Sequence, residues 1–131
     1  MLFRSVKSAK LTQEQADAVV QRIRTTTSLP DGVKDADIVV EVVPEKLDLK
    51  QAVFKEIAQH AKADAVLATN TSQLSITAIA SAIDRPQDVI GTHFFNPPVM
   101  MKLVEVVRGL KTSDRALEVA LALAKIGRAH V

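Results

Sequence analysis

Asp37-Ile38-Val39-Val40-Glu41-Val42-Val43 is a short, almost entirely apolar and β-branched run, closed by Pro44. Such a run reads as a strand covered on both faces, the pattern of a parallel sheet, and proline stops it because it cannot continue a ladder. The period then changes. Leu47, Leu49, Val53, Phe54, Ile57 and Ala58 form one apolar stripe on a helix predicted over 46–61. Ala65 to Thr69 is a second strand and runs into Asn70-Thr71-Ser72. Ser75 can cap a helix through Ile76, Ile79, Ala80 and Ile83, which Asp84-Arg85-Pro86 closes.

Two further apolar runs, Val89 to Phe95 and Leu103 to Val107, read as buried strands around Asn96-Pro97-Pro98, which proline chemistry makes a turn. The chain then turns at Gly109. Thr112 or Ser113 caps a last helix with Leu117, Val119, Ala120 and Leu123 on its apolar side. Upstream of the opening strand, Thr12 with Glu14 and Gln15 forms a capping box, and Ala16, Val19, Val20 and Ile23 have helical spacing. That helix is expected to end near Thr25–Thr27, before Pro30-Asp31-Gly32 breaks the pattern. Its basic residues Arg22 and Arg24 read as solvated surface, and residues 1–10 show no periodicity.

Alternating strands and helices predict an α/β fold, a mostly parallel sheet with helices on its faces and ligands at the carboxyl ends of the strands. Polar residues collect at those ends: Glu45 after the first strand, Asn70 and Ser72 after the second, Asn96 after the third. Each has a purely structural alternative. Glu45 can favour a helix N-terminus, Asn70 to Ser72 are ordinary turn formers, Lys50 suits a solvated helix position, and Asn96 suits a turn. If the chain reverses about Val99, His93 and Glu105 are equally far from the reversal and become opposite neighbours. A carboxylate on one ring nitrogen would fix the tautomer and leave the other free for proton exchange with a substrate oxygen. The alternative is a histidine satisfied by any nearby acceptor.

The 131 residues suit one domain or a large piece of one, and 47% hydrophobic residues can build a core. A net charge of +2 with interspersed signs argues against nucleic-acid binding. Without cysteine there is no disulfide framework or thiol nucleophile, and the three histidines share no short motif, so no metal site is expected. No apolar run has the length of a membrane span and no signal-peptide core is evident, so a soluble, intracellular protein is expected.

The blocks Asp35 to Glu45, Thr69-Asn70-Thr71-Ser72, Gly91 to Pro97 and Lys102 to Val106 together resemble the NAD-binding domain of 3-hydroxyacyl-CoA dehydrogenases, notably the bacterial 3-hydroxybutyryl-CoA members. The resemblance runs from about Leu11 to Leu123, and its specific part is His93-Phe94-Phe95-Asn96-Pro97 with Lys102-Leu103-Val104-Glu105. It implies a Rossmann-like domain and hydride transfer between C3 of a (3S)-hydroxyacyl-CoA, or the matching 3-ketoacyl-CoA, and NAD. It casts His93 as the acid/base, Glu105 as the group that holds it, and Ser72 as a hydrogen-bond partner of the substrate oxygen. Asn96 would position substrate and nicotinamide, Glu45 and Lys50 would contact the ribose–nicotinamide end, and Asn70 would support that region. It further implies a homo-oligomer for the full-length enzyme and a cytoplasmic location, or a mitochondrial or peroxisomal one in a eukaryote.

The sequence also departs from that family. Its four glycines, 32, 91, 109 and 127, are scattered, so the G-x-G-x-x-G phosphate loop is missing. Residues 1–125 are therefore expected to be a partial domain that lacks the first βαβ unit and the helical second domain. Ile126-Gly127-Arg128-Ala129-His130-Val131 is also what the adapter string ATCGGAAGAGCACACGTC encodes, so 126–131 are expected to be read-through, against coincidence with a family Ile-Gly-Lys-like segment. Two other readings remain open: the dehydrogenase segment of a multifunctional β-oxidation protein, and a non-catalytic α/β module that binds through a sheet edge.

Overall fold

The structure is a computed structural model that describes residues 12–98 and 100–126; the expectations for residues 1–10, for the reversal at Val99 and for 127–131 fall outside them. Four strands form one sheet in the order β1 (Ile38–Glu41), β2 (Val66–Thr69), β3 (Val89–Phe94), β4 (Val104–Arg108). The first three are parallel and β4 is antiparallel to β3. Helix α3 (Leu47–His60) links β1 to β2, α4 (Ile76–Ala80) links β2 to β3, and α5 (Asp114–Lys125) follows β4. The helices cover both faces. Phe54 and Ile57 of α3 and Ile76 and Ile79 of α4 pack on Leu67 and Val89, whereas Ala116 and Ala120 of α5 pack on Val66, Ala68 and Ile90. Full burial of a side chain such as Phe54 contributes roughly 1.5–3 kcal/mol. A mostly parallel α/β sheet with helices on its faces is what the alternation predicts, and the arrangement is Rossmann-like, as the resemblance implies.

The capping box forms as predicted: Thr12 Oγ1 accepts from Gln15 N–H, and Gln15 Oε1 accepts from Thr12 N–H. Its helix, α1 (Gln13–Gln21), stops several residues before Thr25 and leaves Val20 and Ile23 exposed. Pro30 does not break structure but opens α2 (Leu29–Val33), where the Ser28 side chain accepts from Asp31 N–H. Proline is tolerated there because a first-turn N–H has no helical partner to lose. β1 ends at Glu41 and Val42 is exposed; β1 is an edge strand among the described residues, and its two faces are covered as expected, Val39 packing on one core cluster and Ile38 and Val40 on the other. β4 is likewise an edge: Val104 is buried but Leu103 and Val107 are exposed. Ser113, not Thr112, caps α5. The Thr112 hydroxyl is buried and donates to Val89 O, tying the β4–α5 turn to the start of β3.

In α3 most of the expected stripe packs inward, Val53, Phe54, Ile57 and Ala58 against the core. Leu47 is exposed, and the buried face is Lys50, Phe54 and Ile57. A charged side chain therefore occupies a core position.

Candidate active site

Sheet register brings the first pair together. His93 of β3 lies opposite Glu105 of β4, so both side chains emerge on the face that Ile76 of α4 covers. Gly91, two residues before His93 on that face, lets α4 and β4 approach. A Cβ there would stand 2.7 Å from Ile76 Cδ1 and 3.1 Å from Val107 Cβ. The imidazole Nδ1 lies 2.8 Å from Glu105 Oε2. A carboxylate can only accept, so Nδ1–H is the donor, and in the neutral ring the lone pair lies on Nε2. The ring also leans on Phe95, with centroids 4.5 Å apart and planes tilted by 48°. The histidine side chain is 19% exposed and the glutamate 53%, so the pair is oriented yet reachable.

An open groove of about 290 Å³ runs beside this pair, and Thr71, Ser72, Gln73, His93 and Glu105 are among the residues that line it. Ser72 thus shares a groove with His93, as the sequence suggested. The loop carrying Ser72 is held by Glu45. Glu45 Oε1 accepts from the Thr71 hydroxyl, from Ser72 N–H at 3.1 Å and from Gln73 N–H at 3.2 Å. Glu45 therefore clamps the neighbouring strand-end loop, while the residue at the N-cap of α3 is Lys46. Partial burial pushes the Glu45 carboxyl up. The hydrogen bonds from Thr71, Gln73 and Ser72, with the Lys50 ammonium, outweigh that and leave it below the usual carboxylate range. Glu45 Oε2 lies 3.7 Å from Lys50 Nζ, and the side chain is 37% exposed.

Asn70 acts in the middle of the site. Its Oδ1 accepts from Phe94 N–H at 2.8 Å, which ties the end of β2 to the residue after His93. Lys50 is fully buried, which overturns the solvated-position alternative. Its ammonium donates to both Glu41 oxygens, at 2.9 and 3.0 Å, and to the carbonyls of Val43 and Asn70. Asn96 is exposed in the turn after β3, beside the cis Asn96–Pro97 bond, and is not among the residues lining the groove. No group of His, Asp and Glu residues able to hold a metal occurs among the described residues, and none of their helices is long and apolar enough to cross a membrane.

Two participants escaped the sequence reading. Glu41 is buried at the end of β1 and Thr71 in the loop after β2. The signal for Glu41 was present: one carboxylate interrupts a run of valines at a strand end, nine residues before Lys50.

Comparison with known proteins agrees with this geometry. The sequence profile described as 3-hydroxyacyl-CoA dehydrogenase, NAD binding domain, matches residues 1–131. A fatty acid oxidation complex subunit alpha from Psychrobacter cryohalolentis is 42% identical over 132 residues, covering 100% of this chain and 18% of that protein. The subunit of the same name from Pseudomonas putida is 45% identical over 125 residues, 95% of this chain and 17% of that one. Among solved structures, 3-hydroxybutyryl-CoA dehydrogenase from Escherichia coli superposes with a TM-score of 0.92 at 40% identity, covering 99% of this chain and 28% of the other. The (S)-3-hydroxybutyryl-CoA dehydrogenase from Ralstonia eutropha gives 0.93 at 40% identity, with 99% and 46% covered. The chain thus spans less than half the length of each of these relatives.

Proposed function

This chain belongs to the 3-hydroxyacyl-CoA dehydrogenase family through its NAD-binding domain, and from that premise we propose that it carries the proton-transfer half of a (3S)-3-hydroxyacyl-CoA dehydrogenase site. The observation that supports this reading best is the 2.8 Å contact between His93 Nδ1 and Glu105 Oε2, beside the groove that also takes Ser72. In this reading NAD, when bound, supplies the acceptor for the hydride that leaves C3 of the thioester. His93 Nε2 takes the proton of the 3-hydroxyl, and in the reverse direction returns it to the 3-keto oxygen. Glu105 keeps the ring in one tautomer and one orientation. Ser72 donates a hydrogen bond to the same substrate oxygen, and Asn96 orders the chain just beyond β3 where substrate and nicotinamide meet.

The residues present suit one end of the cofactor. Oε1 of Glu45 takes all three loop donors and Oε2 is left as an acceptor for a ribose hydroxyl. Lys50 acts on that end from beneath, through Glu45 and the Asn70 carbonyl, since its own surface is buried. The phosphate end needs a Gly-rich loop that the 131 residues do not contain. We therefore expect the isolated chain to reduce acetoacetyl-CoA weakly or not at all; robust turnover by it alone would overturn that expectation.

A full-length enzyme carrying this sequence tests the mechanism. With His93→Gln, NADH-dependent reduction of acetoacetyl-CoA should collapse while NAD⁺ binding persists; near-normal turnover removes His93 from the reaction. The relatives named as fatty acid oxidation complex subunits favour a second reading of the parent, a multifunctional β-oxidation protein. The coding sequence on either side separates the two.

A further inference from the structure

We propose that Glu41 is a positioning residue of this site: by holding the buried charge of Lys50, it leaves Glu45 free to clamp the 71–73 loop that carries Ser72. The inference rests on the function proposed above and adds to it a residue that no strand-end pattern singled out. Glu41 is 4% exposed and Lys50 0%. Two carboxylates face that one ammonium unequally, Glu41 at 2.9 and 3.0 Å and Glu45 at 3.7 Å. Glu41 is itself fixed by the Thr69 hydroxyl at 2.7 Å and by Val43 N–H, so it cannot follow Lys50 elsewhere. Glu45 instead uses its Oε1 on Thr71, Ser72 and Gln73.

The asymmetry has a consequence for the loop. A buried ammonium deprived of its near partner is drawn to the next carboxylate, because an unpaired charge in a low-dielectric interior is strongly unfavourable. Without the Glu41 charge, Glu45 is pulled toward Nζ and off the amides of Ser72 and Gln73. The hydroxyl of Ser72 then loses its place in the groove beside His93. Ser72 is thereby positioned from β1, two ionic contacts away.

Hydrogen–deuterium exchange on the full-length enzyme reads this directly, because the amides of Ser72 and Gln73 are the donors at issue. In Glu41→Gln, exchange across 71–75 should quicken by roughly tenfold while α3 stays protected. The same variant should lose about tenfold in kcat/KM for the thioester at temperatures where it is fully folded. Glu41→Gln combined with Lys50→Met removes the cation that Glu45 would follow, so loop protection should return to the wild-type level. Unchanged loop exchange in the single variant, or an unprotected loop in the folded double variant, overturns the proposal. If the single variant does not fold, the double variant decides alone. Exchange needs no substrate, so a wild-type enzyme inactive on acyl-CoA thioesters would defeat the dehydrogenase reading and leave the loop result standing.

Discussion

Two nitrogen–carboxylate pairs stand at the same end of one sheet with nearly equal separations: Lys50–Glu41 at 2.9 Å and His93–Glu105 at 2.8 Å. Water separates them in kind. The first pair has side chains 0% and 1% exposed, the second 19% and 53%. Burying two ions costs several kcal/mol each unless every remaining donor and acceptor is satisfied. Lys50 meets that condition through Val43 O and Asn70 O, and Glu41 through Thr69. The buried pair is therefore committed to holding the ends of β1 and β2. The rim pair contributes little to stability and, in the function proposed above, keeps one ring nitrogen open to a substrate. Equal distances serve opposite purposes because the dielectric differs.

That contrast can be broken at either member. In a full-length enzyme His93→Gln should lower kcat by about 10²–10⁴, the usual worth of a positioned acid/base, with folding stability changed by under about 1 kcal/mol. Lys50→Ala should do the reverse. It leaves Glu41 buried without its partner and should destabilise by about 3–5 kcal/mol in urea titration. Glu105→Gln should cost about 10–100-fold in kcat through a misoriented ring, again with little change in the urea midpoint. A Glu105→Gln variant as unstable as Lys50→Ala would show that the rim pair is structural, and the contrast would fail.

The difference between the pairs also sets what could be read from the residues alone. His93 and Glu105 were accessible because a proline turn fixes the reversal and equal spacing then fixes the register. The capping box at Thr12 was accessible because it is local in sequence. The burial of Lys50 is not legible because an apolar-only stripe puts Leu47 inside and the lysine outside, and the group that makes its burial tolerable, Glu41, belongs to the preceding strand. The helix at Leu29–Val33 is not legible from Pro30-Asp31-Gly32, which reads as a breaker although proline in a first turn is harmless. The edge character of β1 and β4 depends on which strands pair, which periodicity does not reveal.

Gly91 sharpens the comparison from the packing side. Gly91→Ala forces Ile76 or Val107 to give way on the His93 face, with a cost of about 1–3 kcal/mol. It should lower kcat more than its effect on stability accounts for, because β4 carries Glu105. A purely thermal defect, with kcat intact below the melting range, would mean that the His93–Glu105 contact tolerates a shift of β4.

The smallest effect belongs to Glu45, which is 37% exposed and stands between the extremes. Burial raises its proton affinity, but the donors from Thr71, Gln73 and Ser72 and the charge of Lys50 lower it further than burial raises it. The folded state therefore binds the Glu45 proton less tightly than the unfolded chain does. A group depressed in this way stabilises fully above the unfolded carboxylate value, about 4.3, and that contribution disappears as pH falls through the lower folded value. Loop 71–75 should thus lose exchange protection on acidification below about pH 4 in the wild-type enzyme. Glu45→Gln should start less protected and stay flat over the same window. Should Glu45→Gln keep the full acid response, the sensitivity must lie in another carboxylate, and the loop would depend on a pair other than the one that Glu45 forms.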